Sequence, residues 1–358
     1  MNELSVKKVD IETGENEGIV VGANNGVIIN GMSYTDIRNL CLDLIRDELS
    51  KTKDVALAEA QKRDNELVLK LFTLLSNMGI DESMLQKSFE EPSMQMDFIE
   101  AEKSYIKYGT PELCDIISKL LVKRIQENEH SLLQIALGEA IKTVGILLPT
   151  QIATLSLRFL LCHTRYIFIG NQQAFANYLR EKILPIFCSG VSEKSSEFQH
   201  LTYTRCGTIS ISSNSLMNYF LPQYKGLFSN GFAKEDIPVV NDQPLNEQYP
   251  SLFIRCMNDS SKLQINALDE ETLEYRINEL KINAADATKL KNLYNNYTMS
   301  PAQAQSKIIE WCPEMEELFN YWESSAIKNL NLSSVGIVIG ALYAATKTNE
   351  FFDLSIWI

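Results

Sequence analysis

The sequence predicts a mainly α protein: an irregular stack of antiparallel helices with a small β component and an N-terminal β-hairpin-like arm. Three observations predict it. Apolar residues recur at three- and four-residue steps through most of the chain. Ser, Thr or Pro stands where such runs begin, and Gly where one ends. Residues 1–32 differ from everything after them, with Gly14, Gly18, Gly22, Gly26 and Gly31 punctuating two β-branched runs.

Those runs form an eight-residue direct repeat, Gly18-Ile-Val-Val-Gly22 and Gly26-Val-Ile-Ile-Asn30. Three β-branched residues in succession disfavour a helix and suit a strand. Asn24-Asn25-Gly26 between them tolerates positive φ and predicts a turn. Helix is then expected from a Ser33 cap, with Ile37, Cys41, Leu44 and Ile45 on one face, and again through Leu67, Leu71, Leu74 and Met78. Residues 77–91 read as a loop ending at Pro92.

Further on, Phe98, Ala101, Tyr105 and Tyr108 mark one face of a helix that Gly109 ends, and Thr110-Pro111 starts the next. Helices are expected over 131–143, over 150–166 and over 174–188, the last interrupted by Pro185. Thr208 to Ser212 alternates like a strand. Residues 222–261 are loop-rich, with Pro222, Pro238, Pro244 and Pro250. Helices resume at Asp269, Ser300-Pro301 and Pro313, and Ser355 to Ile358 reads as a strand. The organisation expected is a β arm over 1–31, a helical subdomain over 32–190, and a second over 191–358 that holds the loop-rich segment.

Composition narrows the function. The 358 residues are 45% hydrophobic and 22% charged, which is ordinary for a packed globular chain. A net charge of −13 disfavours nucleic acid as a partner. The excess of acids falls on residues 1–99 and 191–358, whereas 100–190 carry slightly more bases than acids. Residues 1–10 lack the apolar run of a secretory signal, and seven cysteines without a CxxC pair suggest reduced thiols in a cytoplasm. The apolar stretch 144–169 contains Arg158 and Arg165 and reads as a buried helix, so no membrane partner is expected.

Catalytic signatures are missing: there is no phosphate loop, GxGxxG, GxSxG or HExxH. Neither a cofactor nor a metal is expected, since the chain has three histidines and its acidic clusters, around residues 90–102 and 314–317, sit at expected helix starts. Arg158, Cys162 and Arg165 share a helix face by spacing, with His163 beside them. An arginine in so apolar a helix needs a partner or an opening to water. Arg158, Arg165 and His163 are therefore candidate anion-binding residues. The plainer reading pairs Arg158 with an acid such as Glu139, leaves Arg165 exposed at the helix end, and makes Cys162 a core residue.

The arm is the strongest feature, and Ile19, Val20, Val21, Val27, Ile28 and Ile29 are its candidate assembly residues. Low-charge β-branched strips with Asn/Gly turns can stack between chains. They can equally form a hairpin that packs on the chain's own body or adds to a neighbour's sheet edge. The arm is similar to bacterial amyloid-signalling and RHIM-like motifs. Across the chain, Gly31-Met-Ser-Tyr-Thr-Asp-Ile-Arg38, Ala101-Glu-Lys-Ser-Tyr105, Ser131-Leu-Leu-Gln-Ile-Ala136, Gly226-Leu-Phe-Ser-Asn-Gly-Phe232 and the end Phe352-Asp-Leu-Ser-Ile-Trp-Ile358 resemble an uncharacterised family of bacterial proteins known only by locus-tag names. The resemblance implies a bacterial cytoplasmic protein.

The function expected is a non-enzymatic oligomerising sensor or adaptor, in a setting such as anti-phage defence, that associates with itself and with another protein. The alternative is a nucleotide- or phosphate-binding effector enzyme using the Arg158/Arg165 face.

Overall fold

The computed structural model describes residues 54–80, 82–127 and 130–358, together with residue 39 and the strands β1 (Val20–Gly22) and β2 (Gly26–Ile28). The expected turn at 24–25, the flanking Ile19 and Ile29, and the Ser33-capped helix lie outside these residues. β1 and β2 pair antiparallel, Val20 opposite Ile28 and Val21 opposite Val27. Mainly helical architecture with small antiparallel pairs of strands is what the sequence predicts.

The chain divides into two compact units, 1–129 and 130–358. The boundary read from the sequence falls at 190/191, a position inside the second unit. In the first unit, α1 (Asp54–Asn77), α3 (Pro92–Tyr108) and α4 (Pro111–Gln126) pack on one another, with α2 (Glu82–Glu90) against α3 and α4. Leu67, Leu71, Phe98, Ala101, Ile117 and Leu120 are buried among them. The expected loop over 77–91 is therefore largely helix. Leu85 and Phe89, four residues apart, turn one face of this short helix inward, and the Ser88 hydroxyl donates to Ile125 O at 2.9 Å.

The expected punctuation between α3 and α4 is present. Gly109 takes φ 60°, the left-handed conformation that ends a helix cheaply only at Gly or Asn, and its N–H donates to Tyr105 O. The Thr110 hydroxyl then accepts from Leu113 N, with Pro111 at the first helical position.

The second unit opens with α5 (Leu132–Val144), capped by Ser131, and α6 (Pro149–His163). α6 ends three residues earlier than expected. The Thr164 hydroxyl donates back to Leu160 O at 2.8 Å, and Tyr166 N–H donates to the Tyr224 hydroxyl, so the chain leaves in an extended path. α7 (Gln172–Tyr178) runs through a π-helical turn, Leu179–Ile183, into α8 (Leu184–Phe187). Pro185 has no N–H to give, and the wider turn before it absorbs the missing bond.

After α9 (Ser195–Tyr203), strand β3 (Gly207–Ile209) overlaps the expected 208–212 segment at Thr208 and Ile209. α10 (Met217–Gln223) leads into the loop-rich part, where β4 (Val239–Val240) pairs with β5 (Gln243–Pro244). A short α11 (Leu245–Gln248) precedes β6 (Phe253–Arg255) and its partner β7 (Leu263–Ile265). Asp269 caps α12 (Glu270–Glu279), and α13 (Ala284–Asn296) packs its Leu290 and Leu293 with Leu273, Ile277 and Phe232 into a second apolar cluster.

α14 (Pro301–Trp311) starts from a Ser300/Gln303 capping box, and α15 (Met315–Ser324) follows. β8 (Leu330–Leu332) pairs antiparallel with β3. The last helix, α16 (Ser334–Thr348), packs closely on α6: a Cβ at Gly340 would sit 2.7 Å from Leu155 O. The chain end is not the expected strand. Residues Leu354–Ile356 form a 3-10 turn, because the Asp353 carboxylate accepts from Ser355 N and Trp357 Nε1 is drawn to His163 O at 2.9 Å.

Candidate functional site

Every residue of α6 from Gln151 to Leu161 is buried, as the apolar stretch predicted. Its polar side chains must therefore be satisfied internally. Gln151 Nε2 donates to Glu197 O at 2.8 Å, and Thr154 Oγ1 accepts from Ser192 N at 2.8 Å. The Ser156 hydroxyl has no partner among the described residues, and Arg158 is satisfied only in part. It is 3% exposed, Nη2 donates to the Tyr219 hydroxyl at 3.1 Å, and the guanidinium lies 5.2 Å from the Trp322 ring and 5.4 Å from that of Tyr219. Nε and Nη1 are buried with no hydrogen-bond partner. The expected Glu139 partner is not used: that carboxylate takes Lys142 at 3.0 Å.

One turn on, burial pushes the Cys162 thiol up to about 12, against the opposing pull of Arg158, so it stays a thiol at neutral pH. That disfavours nucleophilic chemistry there. The His163 ring stacks on Phe159 at 12° and 6.2 Å. Its burial, and then the Arg158 charge, hold its pKa below the ordinary histidine value. The imidazole is neutral at pH 7.

Since α6 ends at His163, Arg165 does not share a helix face with Arg158. Arg158 meets residues of α10 and α15, whereas Arg165 pairs with Asp269 and reaches Glu271 at 3.7 Å. What the structure does bring together is His163 and Arg165. Both line a cavity of about 320 Å³ whose other walls include Phe168, Lys182, Phe351 and Trp357. The π-helical turn brings in Lys182, which pairs with Glu350 at 2.5 Å, and the chain end brings in the aromatic wall, where Trp357 packs edge-on to Phe159.

On the other side of Arg165 is a wider cleft of about 620 Å³. Its two cations are already matched by acids: Arg165 by Asp269 and Glu271, Lys225 by Glu270 at 2.7 Å. An anion entering this cleft meets cancelled charge. The first cavity, walled by aromatic rings with a few polar groups, has the make-up of a small-molecule site.

The acidic clusters disperse into separate roles. Asp97 pairs with Arg124, Glu100 with Lys103, and Glu314 with Arg180. Glu102 is buried, and burial first, then the Asp64 carboxylate, push its pKa up to about 11. Among the described residues no group of three or more His, Cys, Asp or Glu side chains could hold a metal ion. The described cysteines are all free, and no described helix is long and apolar enough to cross a membrane. The Phe351–Trp357 wall was missed in the sequence because it lies nearly two hundred residues from His163. An aromatic-rich terminus was the only signal.

No curated protein and no solved structure matches this chain. A family model of uncharacterised-like proteins does match, and it covers residues 31–358. The chain belongs to that uncharacterised-like family, and residues 1–30, all of the arm but its last residue, precede the matched region.

Proposed function

We propose that the chain is a non-enzymatic, self-associating sensor or adaptor of the bacterial cytoplasm, with anti-phage defence the setting an assembly arm would suit. One observation carries this reading. β1 and β2 form a sheet of two strands, with no third strand joined to it among the described residues. A two-stranded sheet is marginal by itself. Its outer edges present backbone groups that the strands of another copy can pair with. Removing residues 1–31 tests it. The full chain is expected to run as an oligomer in light scattering and the truncated chain as a monomer; equal subunit numbers contradict the reading.

A second reading, a phosphate- or nucleotide-binding effector enzyme, is favoured by Arg158 alone, whose Nε and Nη1 lie buried without partners. It expects inorganic phosphate or ATP to raise the melting temperature of the parent chain but not of Arg158→Met. Equal shifts in both proteins, or none in the parent, remove it.

A further inference from the structure

The described residues that line the cavity beside His163 fall between Leu160 and Trp357, and the proposed function assigns this cavity nothing. Its walls are aromatic and its rim is unusual. Ile167, Phe168, Phe351 and Ile356 line it, yet they are 66%, 76%, 75% and 70% exposed. Single exposed apolar residues are ordinary, whereas four around one opening mark a binding surface.

Two polar side chains of the lining, Lys182 and His163, keep an N–H to give. Lys182 Nζ gives one N–H to Glu350 and another to Thr348 O, and an ammonium has three. The His163 ring makes no hydrogen bond to the described residues, and its one N–H is available in either tautomer. Arg165 is spent on Asp269 and Glu271 and Lys182 on Glu350, so what the lining offers an acceptor is the third Lys182 N–H and the His163 N–H rather than an excess of charge. The volume, about 320 Å³, stands at the small end of ligand cavities, roughly 300–1,000 Å³.

We infer that this cavity binds a small planar aromatic acid, with the ring system against Trp357 and Phe352 and the carboxylate toward His163 and Lys182. The ring gains apolar burial and edge-on aromatic contacts, and the carboxylate supplies the acceptors that the donors lack. A neutral molecule of the same shape would gain only the first.

The test uses the full chain and two naphthalene probes of matched shape, naphthoate and naphthylmethanol. Affinity is read by calorimetry and location by fluorine NMR of fluorotryptophan-labelled protein, with the Trp357 signal assigned through Trp357→Phe. Naphthoate is expected to bind saturably, to shift the Trp357 signal, and to bind at least tenfold tighter than naphthylmethanol. Phe351→Asp, at an exposed rim position, is expected to weaken naphthoate at least tenfold while keeping the helical circular dichroism of the parent. Absence of saturable binding, equal affinity for the two probes, or an undiminished affinity in Phe351→Asp would overturn the inference. So would a drop in oligomeric mass in Phe351→Asp without naphthoate binding by the parent, which would give the rim to a second copy of the chain.

Discussion

Arg124 and Arg158 are equally buried, each 3% exposed, and the two compact units treat them in opposite ways. In the first unit Arg124 gives Nε to Asp97 at 2.8 Å, Nη2 to the Ser93 hydroxyl at 2.9 Å and Nη1 to Glu127 O at 3.3 Å. Its charge is matched and its fork is used. In the second unit Arg158 meets one phenol and two ring faces, and keeps two nitrogens without partners. Ring faces return part of the desolvation cost of a buried cation, though less than a carboxylate does. The difference separates an arginine that holds helices together from one whose retention needs another cause.

Breaking the matched site should have the largest effect. Arg124→Met leaves Asp97 buried without its cation and is expected to destabilise the first unit by about 3–5 kcal/mol, read by hydrogen exchange of α3 and α4 amides. Adding Asp97→Leu should recover most of that loss, because a matched apolar pair replaces a matched ionic one.

Glu102 sharpens the same contrast with the opposite charge. It has no cation and keeps its proton instead, with its folded pKa near 11 against 4.5 in the unfolded chain. Between those values the folded first unit holds a proton that the unfolded chain has released. Stability is thus greatest below the unfolded value and falls as pH rises, by up to about 1.4 kcal/mol per pH unit. Glu102→Gln should flatten this slope between about pH 6 and about pH 8 and stabilise the unit at the higher pH. A slope unchanged in the variant would mean that Glu102 is ionised in the fold.

The smallest effect is expected at Arg158. Arg158→Met fills a similar volume and removes an unmatched charge, so stability in denaturant should stay within about 1 kcal/mol of the parent or rise. A loss of about 3 kcal/mol or more would place Arg158 with Arg124 as a structural residue and erase the distinction.

Local chemistry made much of the fold legible. Thr110-Pro111, Ser131, Asp269 and Ser300-Pro301 each start a helix where their side chains can cap one, and Gly109 ends one in the left-handed conformation. The burial of α6 follows from its composition. What the sequence did not disclose depends on contacts distant along the chain. Helix α2 is polar enough to read as a loop, and it is held by Leu85, Phe89 and the Ser88 bond to Ile125. Arg165 looked like a neighbour of Arg158 until α6 ended at His163, a stop set by the Thr164 hydroxyl and the distant Tyr224. The aromatic cavity is assembled from segments at 160–182 and 348–357, a pairing that no spacing rule encodes.

The self-association claim is tested most directly in the intact chain, by putting charge into the middle of the paired strands. Val21 and Val27 face each other across β1 and β2. Light scattering of the parent and of the Val21→Lys/Val27→Lys variant should show an oligomer and a monomer respectively, both with the same helical circular dichroism. Identical masses for the two proteins would contradict an assembly built on these strands.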